Sequence, residues 1–261
     1  MSVPEQLDSL LRQPRQVALD LRDDARERLI VALDVPTAKA AIDLADRLEN
    51  SCRWFKVGLE LFVAAGPTIL EKLAARGHSV FLDLKFHDIP NTVAGAVRSA
   101  SGWGVRMMTV HALGGPAMLS AAKNALDGVP DPPELLAVTV LTSMDGTQLN
   151  AVGLNDSAAS QVERLARMGL GVGIRGFVCS PQEAGSLRAL AGRDAVLVIP
   201  GIRPAGGAVG DQKRIATPAD ALRQGASYLV VGRPITQAPD PAMAAESILD
   251  EIVAGFREST A

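Results

Sequence analysis

Short apolar runs rich in β-branched residues alternate along the chain with longer stretches rich in alanine and leucine. The short runs have the length and composition of buried strands. They predict eight strands, at Leu29–Asp34, Arg53–Val57, Ser79–Leu84, Val105–His111, Leu135–Leu141, Gly176–Cys179, Ala195–Pro200 and Ser227–Gly232.

The longer stretches, such as Thr37–Leu48 and Glu71–Arg76, show the apolar spacing of amphipathic helices. Strands that alternate with helices predict a parallel sheet, because parallel strands need crossover connections. Eight such units are the number that closes a barrel. The pattern therefore predicts a single α/β domain, a (β/α)8 TIM barrel over residues 29–261, with an open doubly wound sheet as the alternative.

Residues 1–28 precede the first predicted strand and are rich in Arg, Asp and Glu, with a leucine pattern at Leu7, Leu10 and Leu11. We predict an N-terminal extension that forms a helix or a loose arm and has no catalytic role.

Composition narrows the classes of function. Lys plus Arg number 26 and Asp plus Glu 29, so no basic excess predicts a nucleic-acid partner. Two cysteines, Cys52 and Cys179, cannot make a disulfide scaffold and suit a reducing compartment. No apolar run approaches the roughly 20 residues that span a bilayer, and residues 1–28 lack the apolar core of a signal peptide. We expect a cytoplasmic protein without a membrane partner.

Charged residues recur where the predicted strands end. Asp34 closes the first strand, Lys56 the second, and Asp83 and Lys85 the third, while Asp88 follows in the next loop. The carboxyl ends of barrel strands form the active face of this fold. Clustered charges in such a cleft indicate function, although an isolated buried ion pair could equally serve the fold alone.

Strand alternation places Asp83 and Lys85 on the same face, because they are two positions apart. Leu82, Leu84 and Phe86 would then face the helices. This arrangement predicts a carboxylate and an ammonium group inside the barrel mouth.

A second polar cluster follows the last two predicted strands. It comprises Pro200–Arg203, Asp211–Gln212 and Val230–Pro234. The loops after strands seven and eight are the usual phosphate site of this fold. Gly232 would let the backbone approach an anion, and Arg233 could hold a phosphate by two parallel hydrogen bonds.

The block Asp83-Leu84-Lys85-Phe86-His87-Asp88-Ile89-Pro90-Asn91-Thr92 resembles the signature of the orotidine 5′-monophosphate decarboxylases. Shorter motifs in the same order extend the resemblance from about Leu29 to Pro241, among them Ala32–Asp34, Phe55–Gly58, Val110–Ala112, Leu141–Ser143, Val178–Ser180, Pro200–Arg203 and Val231–Arg233.

This resemblance implies cofactor-free and metal-free conversion of orotidine 5′-monophosphate to uridine 5′-monophosphate in pyrimidine synthesis. It implies a charged catalytic network of Lys56, Asp83, Lys85 and Asp88, with Lys85 protonating C6. It also implies a homodimer with shared active sites, in which the partner subunit supplies Asp88, Ile89 and Thr92.

The same resemblance assigns the binding of substrate. Asp34 and Lys56 would hold the ribose hydroxyls. Thr142, with Ser143 as the alternative, would lie against the pyrimidine. The phosphate would be bound by Arg203, Gln212, Gly232 and Arg233.

Two other functions compete with this interpretation. A metal-dependent phosphosugar aldolase or epimerase could use Asp83, His87, Asp88 and His111 as metal ligands. A non-catalytic nucleotide-binding module could keep the fold alone. The Ile-Pro-Asn-Thr continuation and the Asp211-Gln212 pair favour the decarboxylase over the aldolase, and the complete set of charged motif residues argues against the module.

Overall fold

Eight parallel strands close into a barrel in the computed structural model of the protein, which describes residues 20–205 and 214–259. Each strand pairs with the next along the chain, and the last pairs with the first. The predicted TIM barrel is confirmed and the open doubly wound sheet is wrong. The strands are β1 (Leu29–Ala32), β2 (Trp54–Gly58), β3 (Ser79–Phe86), β4 (Met107–His111), β5 (Glu134–Val138), β6 (Gly176–Val178), β7 (Val196–Ile199) and β8 (Tyr228–Val231).

Helices surround the barrel, and some of them begin at side-chain caps. Thr37 Oγ1 accepts a hydrogen bond from Ala40 N, and Asp145 and Gln148 form a reciprocal capping box. The helices are α1 (residues 20–28), α2 (Ala38–Arg47), α3 (Leu59–Ala65), α4 (Thr68–Ala74), α5 (Pro90–Ser101), α6 (Gly115–Asn124), α7 (Gly146–Ala151), α8 (Ala158–Gly171), α9 (Pro181–Ala191), α10 (Pro218–Arg223), α11 (Arg233–Thr236) and α12 (Pro241–Ser259).

Several predicted strand ends are wrong by a few residues. β1 ends at Ala32 and β5 at Val138, whereas β3 continues to Phe86. Leu33 and Val140 lie beyond their strands and are still buried. The apolar pattern of the sequence therefore predicts which residues are buried. It does not predict where strand pairing ends, because the backbone hydrogen bonds of β1 and β5 stop before the buried residues do.

Strand alternation divides the core into two layers. The outer layer packs the strands against the helices and includes Leu29 and Val31 of β1. The inner layer fills the barrel with buried side chains, namely Ile30, Ala32, Trp54, Phe81, Met107, Leu136, Val198 and Val230, and the partly buried Val178 of β6 packs against them. Because apolar side chains close the interior, the polar mouth at the carboxyl ends is left for chemistry.

The described part of the N-terminal segment packs on α12. Arg22 of α1 forms ion pairs with Glu246 and Asp250, and Ala25 is fully buried. The Arg28 guanidinium lies 5.3 Å from the ring centroid of Phe256. The domain boundary at residue 28 stays a prediction. Within the described residues, no helix has the length and apolar character needed to cross a membrane.

Candidate active site

The carboxyl ends of the strands open into a cavity of about 380 Å³. Its wall combines apolar residues from β5 to β8 with charged residues from β1 to β3. Of the residues predicted from the sequence, the structure brings these together in the lining: Asp34, Lys56, Asp83, Lys85, Thr142, Arg203, Gly232 and Arg233.

Four charges of alternating sign form a row across the first three strands. Lys56 Nζ lies 3.0 Å from Asp34 Oδ1 and 3.6 Å from Asp83 Oδ2. Lys85 Nζ donates a hydrogen bond of 2.8 Å to Asp83 Oδ1. Asp83 therefore lies between two ammonium groups in the wall of the cavity.

The balance of burial and charge decides the state of Asp83. Burial disfavours its carboxylate, but attraction to Lys56 and Lys85 and hydrogen bonds from Lys85 and Thr109 outweigh that effect. The pKa of Asp83 consequently lies below its ordinary value. The site keeps a negative charge beside Lys85 at neutral pH.

A β-bulge carries Lys85 into the mouth. The pairing of β3 with β4 shifts between Leu82 and Phe86, and Lys85 has φ 51°, in the left-handed region. Leu82, Leu84 and Phe86 pack in the outer layer, as strand alternation predicts. Alternation alone did not predict the bulge.

Two arginines line the cavity after the last two strands, Arg203 after β7 and Arg233 after β8. Arg203 follows β7, is buried, and donates a hydrogen bond of 2.8 Å from Nη1 to Ile202 O. Burial, and then repulsion from Arg233, lowers the pKa of Arg203. Two guanidinium groups close enough to repel each other suit an anion between them.

Gly232 and Gln212 were also predicted to bind phosphate. Gly232 lines the cavity, and a Cβ added there would lie 3.7 Å from Asp34 Oδ2, an ordinary van der Waals distance. Gln212 lies outside the described residues. The lining includes Thr142 but, among the described residues, not its predicted alternative Ser143.

Three predicted site residues are not brought into the cavity of their own chain. Asp88, Ile89 and Thr92 are exposed and absent from its described lining. Asp88 Oδ1 accepts a hydrogen bond of 2.6 Å from Ile89 N, where Ile89 precedes α5. Among the ion pairs of the described residues, none involves Asp88.

The two histidines near the mouth stack on each other. The ring centroids of His87 and His111 are 5.4 Å apart, and His111 Nδ1 accepts a hydrogen bond from Leu113 N. Burial, with repulsion from His87 and Lys85, lowers the pKa of His111 to about 4. Within residues 20–205 and 214–259, no three His, Cys, Asp or Glu side chains are grouped to hold a metal ion.

Comparison with known proteins places the chain in a family. Residues 27–248 match the profile of the Orotidine 5'-phosphate decarboxylase / HUMPS family. The chain belongs to this family. The resemblance read from the motifs is therefore confirmed.

Relatives in the orotidine 5′-phosphate decarboxylase family share about half of their residues with this chain. The protein named orotidine 5'-phosphate decarboxylase from Nitrosococcus oceani is 51% identical over 87% of this chain and 98% of its own length. The protein of the same name from Marinomonas sp. is 54% identical over 82% of this chain and 91% of its own. The crystal structure of orotidine 5'-phosphate decarboxylase from Lactobacillus acidophilus has a TM-score of 0.76 and 40% identity, covering 87% of this chain and 99% of that one.

Two polar residues at the family site were missed by sequence reasoning. Gln237, directly after α11, lines the cavity. Thr109 of β4 is fully buried and hydrogen-bonds to Asp83. The available signal was that Thr109 lies two positions before His111 and therefore on the same inward face of β4. A threonine inside an apolar strand, however, resembles an ordinary core residue.

Proposed function

We propose that this chain converts orotidine 5′-monophosphate to uridine 5′-monophosphate in pyrimidine synthesis, without a cofactor. The row Asp34, Lys56, Asp83 and Lys85, in one cavity with Arg203 and Arg233, carries the proposal. The names of relatives at 51–54% identity support it.

The chemistry requires a cation at the reacting carbon. Loss of CO₂ from C6 leaves a carbanion that no adjacent carbonyl group delocalises, so the protein must stabilise it electrostatically. Lys85 is the proposed cation and proton donor: its ammonium group stabilises the developing charge and then protonates C6. Asp83, kept ionised by its neighbours, holds that ammonium group in place.

The remaining polar residues would bind the ends of the substrate. Asp34 and Lys56 would hold the ribose hydroxyls, and Thr142, or its alternative Ser143, the pyrimidine. Arg203, Gly232 and Arg233, with Gln212, would bind the phosphate. Binding energy from this remote group can align charges at the reacting carbon.

A homodimer would complete the site. Asp88, Ile89 and Thr92 are exposed at the carboxyl end of β3. Large apolar side chains are also exposed after β2, β3 and β4. The accessible fractions are 58% for Leu59, 81% for Val63, 66% for Ile89 and 44% for Leu113. A second copy covering this face would bury them and bring its own Asp88 toward Lys85.

Loss of orotidylate, followed by its ultraviolet absorbance with purified protein, tests the proposal. We expect turnover that survives exhaustive EDTA treatment. In Lys85→Ala, turnover should fall at least about 10²–10⁴-fold while uridine 5′-monophosphate still binds. Absence of turnover in the wild type would favour the non-catalytic module. Turnover that EDTA abolishes and Mg²⁺ or Zn²⁺ restores would favour the metal-dependent aldolase or epimerase.

Cytoplasmic localisation stays a prediction.

A further inference from the structure

Thr109 connects the two central charged residues of the site through one hydroxyl group. Lys85 N donates a hydrogen bond of 2.8 Å to Thr109 Oγ1, and Thr109 Oγ1 donates one of 3.1 Å to Asp83 Oδ1. The residue is fully buried and belongs to β4, whereas its two partners belong to β3. The contact therefore joins neighbouring strands at the point where their regular pairing fails.

The hydrogen-bonding capacity of the hydroxyl fixes its orientation. A threonine hydroxyl has one proton to donate, and here that proton goes to Asp83. Its oxygen accepts the amide proton of Lys85, which the bulge removes from the regular ladder. Without the hydroxyl, a part-buried backbone donor and a part-buried carboxylate oxygen would each lose a partner.

The backbone of Lys85 gives this contact its importance. A lysine at φ 51° occupies a region that side chains other than glycine rarely adopt. Surrounding structure must hold such a residue in place. The Thr109 hydroxyl is bonded to the amide of Lys85 and to the carboxylate that binds the Lys85 ammonium group.

We propose that Thr109 is a positioning residue for the Lys85–Asp83 pair, whose hydroxyl holds the β3 bulge and aims the ammonium group into the cavity. The inference rests on the proposed function, since it assigns Lys85 and Asp83 their catalytic roles. Thr109 is absent from the described lining of the cavity, so it acts through the pair rather than on substrate.

Other charged and titratable groups surround the pair and must be considered in any pH measurement. Lys56 of β2 faces Asp83, and Asp34 lies behind Lys56. His111 of β4, stacked on His87, is a further titratable group that interacts electrostatically with Lys85. A variant at position 109 changes none of these groups, so a shifted profile reports on the pair.

Thr109→Val tests the proposal, because valine keeps the shape of threonine and removes only its hydrogen bonds. We expect kcat to fall about tenfold to a hundredfold, with KM changed by less than about threefold. Loss of a donor to the Asp83 carboxylate raises the pKa of Asp83, so the acid limb of the kcat/KM profile moves to higher pH. Thr109→Ser restores the hydroxyl and should recover most of the rate.

Thr139→Val is the matched control. Thr139 is equally buried, and its hydroxyl donates 2.9 Å to the backbone oxygen of Val178, away from the charged row. It should lose stability without a shifted acid limb. Thr109→Cys, with a weak donor and acceptor, serves in the same comparison if Thr109→Val does not fold.

The outcomes separate the two proposals. No orotidylate turnover in the wild type would overturn the proposed function. An active wild type, with Thr109→Val (or Thr109→Cys) within threefold in kcat and an unmoved acid limb, would overturn the positioning role. Failure of Thr109→Ser to recover activity would overturn it as well.

Discussion

Gly58, at the end of β2, leaves room for the ammonium group of Lys56. A Cβ built on this glycine would lie 2.8 Å from Lys56 Nζ and 3.4 Å from Asp34 Oδ1. Its φ of −94° is one that any residue adopts, so space rather than backbone conformation accounts for the missing side chain. The position of Lys56 between Asp34 and Asp83 depends on that space.

Gly58→Ala should therefore impair activity more than folding. The flexible end of Lys56 can move away at little cost in stability, but it then leaves its position between the two carboxylates. Displacements of about 1 Å in a site can cost roughly a hundredfold in rate, so we expect kcat/KM to fall about tenfold to a hundredfold. Steady-state assays and urea denaturation measure the two effects separately.

Gly171→Ala supplies the comparison for Gly58→Ala. Gly171 ends α8, and a Cβ there would meet nothing within 4 Å. Activity should be unchanged in this variant. Equal activity in both glycine variants would show that Lys56 does not need its present position.

Arg233 should matter for the phosphate and for no other part of the substrate. Removing one charged hydrogen-bonding group costs about 1.5–3 kcal/mol, so Arg233→Ala should lower kcat/KM for orotidylate by about 10- to 150-fold. For orotidine, which lacks the phosphate, kcat/KM should be nearly the same in the variant as in the wild type. Equal losses for the two substrates would remove Arg233 from the phosphate site.

Sequence reasoning found the charged residues of the cavity but not the hydroxyl that holds them. Asp34, Lys56, Asp83 and Lys85 stand at successive strand ends, where polar residues interrupt apolar runs. Thr109 acts across a register shift between β3 and β4, and no feature of one strand's sequence reports its pairing with the next. Asp88 was likewise found as a motif residue. Its contacts stay a prediction, because they would be made with a partner subunit.

Among the elements, α9 is joined to the segment between β7 and α10 by a buried ion pair, and the same arginine contacts the loop after β5. Arg214 forms an ion pair with Glu183 of α9, which also accepts a hydrogen bond from Ser180. Arg214 Nη2 donates 3.0 Å to Leu141 O, next to Thr142 in the cavity wall. Both charged side chains are almost inaccessible, with 8% of Arg214 and 5% of Glu183 exposed.

Glu183→Ala should destabilise the fold strongly. It leaves the Arg214 charge buried without its carboxylate, a change that costs about 3–5 kcal/mol of unfolding free energy. Glu163→Ala is the matched control, because the Arg167–Glu163 pair on α8 is exposed and worth only about 0.3–0.5 kcal/mol. Urea denaturation measures both, and a similar small loss in the two variants would contradict a structural role for the buried pair.

The element order could be predicted from the sequence, whereas the element ends could not. Eight apolar runs separated by helical stretches allow few packings other than a closed barrel. Val140 stays buried after β5 has ended at Val138, so burial and strand pairing diverge there. At β3 the bulge lengthens the strand beyond Leu84, which only backbone geometry shows.

For the whole molecule, the proposed site is incomplete in one chain. Lys85 lines the cavity, whereas Asp88 is exposed and outside its described lining. Pro90 begins α5 directly after Ile89 and sets the direction in which this segment leaves β3. In a two-fold dimer, each chain would lend this segment to the site of the other, and both sites would be formed reciprocally.

Mixing of inactive variants tests this arrangement. Lys85→Ala and Asp88→Ala, each inactive alone, are refolded together in equal amounts, and random pairing makes about half of the dimers mixed. Each mixed dimer has one intact site, with Lys85 from one chain and Asp88 from the other, while its second site lacks both groups. One good site in two, in half of the dimers, should restore about a quarter of wild-type activity.

A second mixture controls for effects of refolding. Asp83→Ala and Lys85→Ala both alter groups that line the cavity of the same chain, so every site in their mixed dimers lacks one of them. This mixture should stay inactive under identical conditions. If the Lys85→Ala and Asp88→Ala mixture also stays inactive, although mass spectrometry shows that subunits have exchanged, then Asp88 serves its own chain. In that case the segment from Asp88 to Thr92 would have to fold back toward its own Lys85 when substrate binds.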